Sequence, residues 1–393
     1  MKIAPFATEH FFARYEFTTP YQLCNSDCET VTIAELLAMA DLSLEQLGQL
    51  LLGYTESLGH PQLRRMIAET YSEATADDVI ELGTPVEGIY LVARAALAPG
   101  DEVIVLTPAF DALINMFEHV VGATNVRKWE LVAGDTQWQL DIDRLKELIS
   151  PRTKMLVVNF PHNPTGYLPT RDQLNDLAAI VDANDLIFFC DEMYFGLVHS
   201  GTAPIRSAAD LTARAVVLSG LSKTYGLPGL RTGWLVVRDE ALRQNIVNWK
   251  FYTSICPPAP SEFLAMAAWR VRDQLRERSI AQIEHNLQLA DAFFHQWPDL
   301  FRWRKPMAGS VALVGIDVPS VTAFATQLAE RAGVLILPGV TLGADDQHMR
   351  MGFGRAAFGE ALERFEAYLS CGPSFPRRRE SSALKSDFPP SRE

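Results

Sequence analysis

The sequence predicts an α/β fold: a mainly parallel central sheet sandwiched by helices, joined to a smaller α+β unit. Three observations predict it. Several short runs are almost continuously apolar and β-branched rather than alternating, which is the mark of strands buried on both faces. Amphipathic helical patterns such as "TRDQLNDLAAIVDAND" (170–185) separate them. The texture changes after a proline-rich joint at Pro257, Pro258 and Pro260, where strands become shorter and helices longer.

The predicted strands of the main sheet are "DEVIVLTP" (101–108), "KMLVVNFP" (154–161), "LIFFCDE" (186–192), "AVVLSG" (215–220) and "GWLVV" (233–237). They fall in a large unit spanning 54–255. A long helical stretch then runs to about residue 297. The strand candidates "SVALVGIDV" (310–318), "GVLILPG" (333–339) and "HMRMGFG" (348–354) complete a smaller unit over 256–370, which is expected to recruit the N-terminal segment 1–53. The end, 371–393, is rich in proline and serine and reads as a disordered tail.

Composition narrows the function. Of 393 residues, 48% are hydrophobic, enough for a large core, and the net charge is −13. That acidity argues against a general nucleic-acid or anionic-membrane binder. No charge-free apolar run reaches the roughly 18 residues that span a bilayer, and the start "MKIAPFATEHFF" has no signal-peptide core. Five scattered cysteines imply reduced thiols and a cytoplasmic location, and Cys24 and Cys28 lack the partners a metal site needs.

Four polar features each follow an apolar strand. Ligands of open parallel sheets bind beyond the carboxyl ends of strands, so these features can converge on one cleft. In "ELGTPVEGIYLVARAAL" (81–97) a turn opens a helix, whose N-terminus suits a phosphate unless Thr84 merely caps it. "NFPHNPTG" (159–166) is either a plain turn or a device presenting the Asn163 amide. "FFCDEMYFG" (188–196) ends an apolar run on Asp191, a carboxylate that is costly there unless it meets a cation or strong donors, either in a structural salt bridge or at a ligand. In "VLSGLSKTYGLPGLRTGW" (217–234), Lys223 follows a strand directly, with Arg231 eight residues on. A desolvated lysine becomes a usable nucleophilic amine, and an arginine fork suits a phosphate.

"SGLSKTYGLPGLRTGW", preceded in order by "HNPTG" and "DEMY", closely resembles the class I/II aminotransferases, the fold-type-I enzymes dependent on pyridoxal 5'-phosphate. The resemblance covers about 20–370. It implies that Lys223 holds the cofactor as a Schiff base and later shuttles the substrate proton. Asp191 would pair with the pyridine nitrogen, and Asn163 and Tyr194 would contact the ring hydroxyl oxygen. Thr84, Val86 and the amides after Gly83 would hold the phosphate with Ser222 and Arg231, and Phe110 would lie against the ring. Tyr54, in "LLGYTESLGHPQLRRMIA" (51–68), would reach the phosphate of a neighbouring subunit, which implies a homodimer. Arg350, in "HMRMGFG", would clamp the substrate carboxylate, joined by Asn163, Asn25 and Ser26 as substrate contacts.

Two positions depart from the pattern. Pro85 sits in the phosphate turn without an N–H to donate, and Gly220 stands where many relatives carry serine. Thr84 and Ser219 are candidate replacement hydroxyls.

The resemblance implies transamination between an L-amino acid and a 2-oxo acid by a ping-pong cycle. The alternative is another α-carbanion reaction: elimination, replacement or cyclisation. The entrance segment "YEFTTPYQLCNSDCETVTIAELL" (15–37) has a local likeness to capreomycidine-synthase-like members, and Asp27 and Glu29 there could receive a basic side chain. A non-catalytic regulator on this fold would need a DNA-binding domain ahead of Tyr54 and suits the acidic charge poorly.

Overall fold

The computed structural model describes residues 3–371; Cys371, expected to begin the tail, instead ends the helix Phe358–Cys371, and the rest of the expected tail, 372–393, lies outside the described residues. Seven strands form the main sheet: β1 (Val79–Leu82), β2 (Glu102–Thr107), β3 (Val126–Glu130), β4 (Thr153–Asn159), β5 (Ile187–Asp191), β6 (Ala215–Gly220) and β7 (Gly233–Val237). Their order is β1-β7-β6-β5-β4-β2-β3. Only β7 runs against its neighbours, pairing antiparallel with β1 and β6. Five of the seven coincide with the apolar runs of the sequence. β1 and β3 are additional, and β3, at the sheet's edge, buries Val126 and Trp129 but exposes Arg127, Lys128 and Glu130.

Both faces of the sheet are buried, as continuous apolar strands require. Leu156, Phe188, Val217 and Val236 face one core, while Val157, Phe189, Val216 and Leu235 face the other. The helix Pro85–Ala96 lies close against one face because Gly88 has no side chain there. A Cβ on it would meet Leu218 and Leu82 at 2.8 Å. This fixes where that helix begins, at the mouth of β1.

A second sheet of four strands, β8 (Phe301–Arg302), β9 (Val311–Ile316), β10 (Leu337–Pro338) and β11 (His348–Gly352), has the order β8-β9-β11-β10 and its own aromatic-rich core. The single strand expected over 333–339 is two short ones. Val334–Leu335 pairs instead with Tyr21–Gln22 of the N-terminal segment, in parallel. The long helical stretch is also two helices, Ala259–Arg270 and Arg272–Gln296, parted at Val271. Among the described residues no helix is long and apolar enough to cross a membrane.

The N-terminal helix α1 (Ala7–Tyr15) went unforeseen in the sequence. It is pinned by the Thr8 amide, which donates to Asp111, and by the Thr8 hydroxyl, which donates to the Thr341 carbonyl.

Candidate active site

The C-terminal ends of β1, β4, β5 and β6 converge on one cavity of about 520 Å³, closed by β11 and α1. Of the residues singled out above for cofactor and substrate, Asn25, Ser26, Thr84, Val86, Phe110, Asn163, Asp191, Tyr194, Ser222, Lys223, Arg231 and Arg350 line it, whereas Tyr54 stands 92% exposed on the outer surface.

Lys223 follows β6 after two residues and points its amine into the cavity, where Nζ donates to Ser26 Oγ at 2.7 Å. Ser26 is held in turn by Ser310, which donates to its carbonyl at 2.6 Å. Desolvation lowers the Lys223 amine below the ordinary lysine pKa, Asp27 opposing and Arg350 reinforcing the shift. A neutral amine is the nucleophilic form. Tyr194, buried beside the same serine, has its phenol pushed above the ordinary range by burial.

Asp191 ends β5 in register with Asn159 at the end of β4. Burial raises its carboxyl to about 6, against a hydrogen bond from the Met193 amide. It has no ion-pair partner among the described residues, so the salt-bridge alternative does not apply. The adjacent Glu192 turns elsewhere and accepts from Ser207 and the Ala208 amide. Asn159, which the sequence did not mark, links the two strand ends. Its Nδ2 donates to the Asp191 carbonyl and its Oδ1 accepts from the Asn163 amide, each at 2.7 Å. Asn163 Oδ1 then accepts from Arg350 Nη1 at 3.2 Å, and Arg350 Nη2 donates to the Cys24 carbonyl at 2.9 Å. One hydrogen-bonded chain therefore joins the main sheet, β11 and the N-terminal segment. Arg350 is 1% exposed, and its Nε has no partner.

That junction depends on glycine. A Cβ on Gly352 or Gly354 would overlap the carbonyls of Asn25 and Asp27, so glycine there lets the segment lie directly over β11. Asn25 and Ser26 line the cavity as a result.

At the opposite end, Thr84 is the N-cap residue of the helix Pro85–Ala96, yet its side chain makes no capping bond. Arg231 Nη2 donates to Thr84 Oγ1 at 2.5 Å, and Nη1 donates to the Pro228 carbonyl. Arg231 has a φ of +52°, a left-handed conformation costing about 1 kcal/mol, which turns it back toward the helix start. The Ser222 hydroxyl is buried without a partner. Ser219 does not line the cavity. Its hydroxyl donates to the Glu192 carbonyl, so it is no substitute donor here.

The entrance differs from expectation as well. Arg355 holds Asp27 at 2.7 Å and lies 3.7 Å from Glu29, which also accepts from the Ala356 amide and does not line the cavity. The Asp27–Glu29 pair is thus answered by the protein's own arginine rather than left for a ligand. The carboxylates that do open on the cavity beside Asp27 are Glu9 and Glu16, from α1 and its C-terminal cap. Their signal in the sequence was a spacing of seven residues, easily lost in a segment of mixed polarity.

The Aminotransferase class I and II family model matches residues 21–364. Capreomycidine synthase of Streptomyces vinaceus is 29% identical over 340 residues, 86% of each chain. Among solved structures, a PLP-dependent aminotransferase from Streptococcus suis superposes with a TM-score of 0.87 at 25% identity, covering 94% of this chain and 98% of that one. The PLP-dependent cyclase OrfR gives 0.85 at 27%, with the same coverage.

The cavity fits pyridoxal phosphate. The unpartnered Ser222 hydroxyl, the Arg231 fork and a twelve-residue helix N-terminus suit a phosphate. Asp191 is a buried carboxylate with no ion-pair partner among the described residues, and the Lys223 amine opens on the same cavity. Phe110, which packs against Phe6 with ring centroids 5.3 Å apart, supplies an aromatic wall.

Proposed function

Given that this chain belongs to the class I and II aminotransferase family, we propose that it moves an amino group from an L-amino acid to a 2-oxo acid in two half-reactions, as a homodimer. The observation that carries this reading is the pairing of a desolvated Lys223 amine with the buried, part-unpartnered guanidinium of Arg350 in one cavity.

Bound pyridoxal phosphate supplies a carbonyl to capture the amine and a ring that takes up the electrons left when the Cα–H bond breaks. The chain's residues do the rest. Arg350 receives the substrate carboxylate by its free edge, fixing the amino acid's orientation at Cα. Lys223 Nζ would take the proton from Cα and return one to the cofactor carbon joined to the same amine nitrogen, a role its lowered pKa suits. Asp191 keeps a proton on the ring nitrogen by its negative charge. Asn163 and Tyr194 donate toward the ring oxygen, and Asn163 is held for this by Asn159. Ser222, Arg231, Thr84 and the helix start from Val86 onward anchor the phosphate. The likeness to capreomycidine synthase and to a PLP-dependent cyclase supports a second reading, in which the same carbanion chemistry ends in ring closure.

Products decide between them. Incubation with each amino acid should release its 2-oxo acid, and the amine should then pass to added pyruvate. Ammonia or a cyclised product, with no amine transferred, would replace transamination by the second reading.

A further inference from the structure

The cavity mouth carries negative charge that the proposed cofactor and carboxylate contacts do not use. α1 and its cap bring Glu9, Phe12 and Glu16 to the cavity at spacings of three and four residues, one face of a helix. The face is anchored at both ends, by Thr8 and by Gln22, whose amide donates to the Glu16 carbonyl. Neither Glu9 nor Glu16 has an ion-pair partner among the described residues. Asp27 lines the same mouth, and Arg355, which it shares with Glu29, is the cation paired with it.

A second, independent observation gives this end its polarity. Arg350, 1% exposed and with Nε unpartnered, lies with its guanidinium 6.0 Å from the Phe12 ring, between the two glutamates along the helix. One cavity therefore offers a buried site for an anion beside an open site for a cation. An α-amino acid with a cationic side chain carries both groups. Resting on the reading of this cavity as an amino-acid site, we infer that Glu16 and Glu9 form a subsite for a guanidinium or ammonium side chain, so that the preferred amino donor is a basic amino acid.

The surroundings agree. Burial raises the pKa of Glu16, and the charges of Glu9 and Asp27 raise it further against the opposing pull of Arg355 and Lys223, so negative charge prevails around it and an incoming cation is favoured. A side-chain carboxylate, as in aspartate, would meet like charges there.

L-Arginine and L-citrulline differ little in shape but by one charge, and their binding can be titrated by visible absorbance on the cofactor-loaded protein without a 2-oxo acid. The wild type should bind arginine about tenfold or more tighter than citrulline, the scale of one charge-assisted contact. Glu16→Gln should reduce that ratio severalfold, and Glu9→Gln with Glu16→Gln should bring it near one. Glu9→Gln alone serves if Glu16→Gln does not fold. Equal binding of the two ligands by the wild type, or an unchanged ratio in the double variant, overturns the subsite. Products are scored separately: a charge-dependent ratio without amine transfer leaves the subsite standing and rejects transamination, whereas amine transfer with an indifferent ratio does the reverse.

Discussion

The ring of Pro85 occupies the space that a side chain at position 220 would need. A Cβ on Gly220 would lie 3.0 Å from Pro85 Cγ and 2.9 Å from the Thr232 carbonyl oxygen, and one on Gly233 would lie 2.7 Å from Pro85 Cγ. The two departures from the family pattern are therefore packed against each other: proline at the helix start adds to the crowding that the Thr232 carbonyl already imposes on position 220. The hydroxyls that open on the cavity at this end are those of Thr84 and Ser222, while that of Ser219 is turned to the Glu192 carbonyl.

This coupling is measurable. Gly220→Ser should destabilise the protein by about 1–3 kcal/mol, the usual scale of overpacking. In a Pro85→Ala background the cost should fall by at least about 0.5 kcal/mol, since one of the opposing groups is gone. Relief will be partial because the Thr232 carbonyl remains. Urea unfolding of the four proteins gives the cycle, and strict additivity would contradict it.

Asp191 should leave a pH signature. Its carboxyl rises from an ordinary 3.8 to about 6 on folding, through burial. Between those values the folded state holds a proton that the unfolded state has lost, so stability falls as pH rises through this window. Cofactor-free Asp191→Asn should thus exceed wild type at pH 8 by about 1–3 kcal/mol, given about 1.4 kcal/mol per pKa unit. At pH 4 the advantage should vanish. Added pyridoxal phosphate should reverse the order at pH 8, stabilising wild type more than the variant. Thermal melts at the two pH values, with and without cofactor, check both claims.

Arg350→Lys should lower kcat/KM by about tenfold to a hundredfold, because a lysine cannot offer the two-pronged contact. The loss should be similar for alanine, norleucine and arginine, since every amino acid presents the same carboxylate. Steady-state kinetics on the three donors test this, and a loss confined to arginine would move Arg350 into side-chain recognition.

Leu51, Leu52 and Tyr54 are 86%, 83% and 92% exposed, an apolar surface suited to a second copy. Leu52→Asp should shift sedimentation from dimer toward monomer and speed the loss of cofactor. Tyr54→Phe should keep the dimer yet release cofactor a fewfold faster, as a hydroxyl contact across subunits requires.

Much of this was legible in the sequence because buried parallel strands are continuously apolar, and polar residues at their ends stand out. β6 and β7 coincide with "AVVLSG" and "GWLVV" for that reason. β3, "VRKWE", was hidden because three of its five residues are exposed and charged. Lys223, Asp191, Asn163 and Arg350 were legible as an ordered set, whereas Asn159 sat inside a strand pattern with nothing to mark its hydrogen bonds. The Arg355 contact with Asp27 spans 328 residues and is fixed by how the N-terminal segment crosses β11. No local pattern encodes that, nor the turn of Glu9 and Glu16 toward the cavity.

The identity of the nucleophile is the claim on which the rest depends. Cofactor-loaded protein should be treated with borohydride, digested and mapped by peptide mass spectrometry. A reduced pyridoxyl group on Lys223, absent from Lys223→Ala protein along with the visible absorption band, is the predicted result. A pyridoxyl group on another lysine, or an unchanged band in Lys223→Ala, would contradict it.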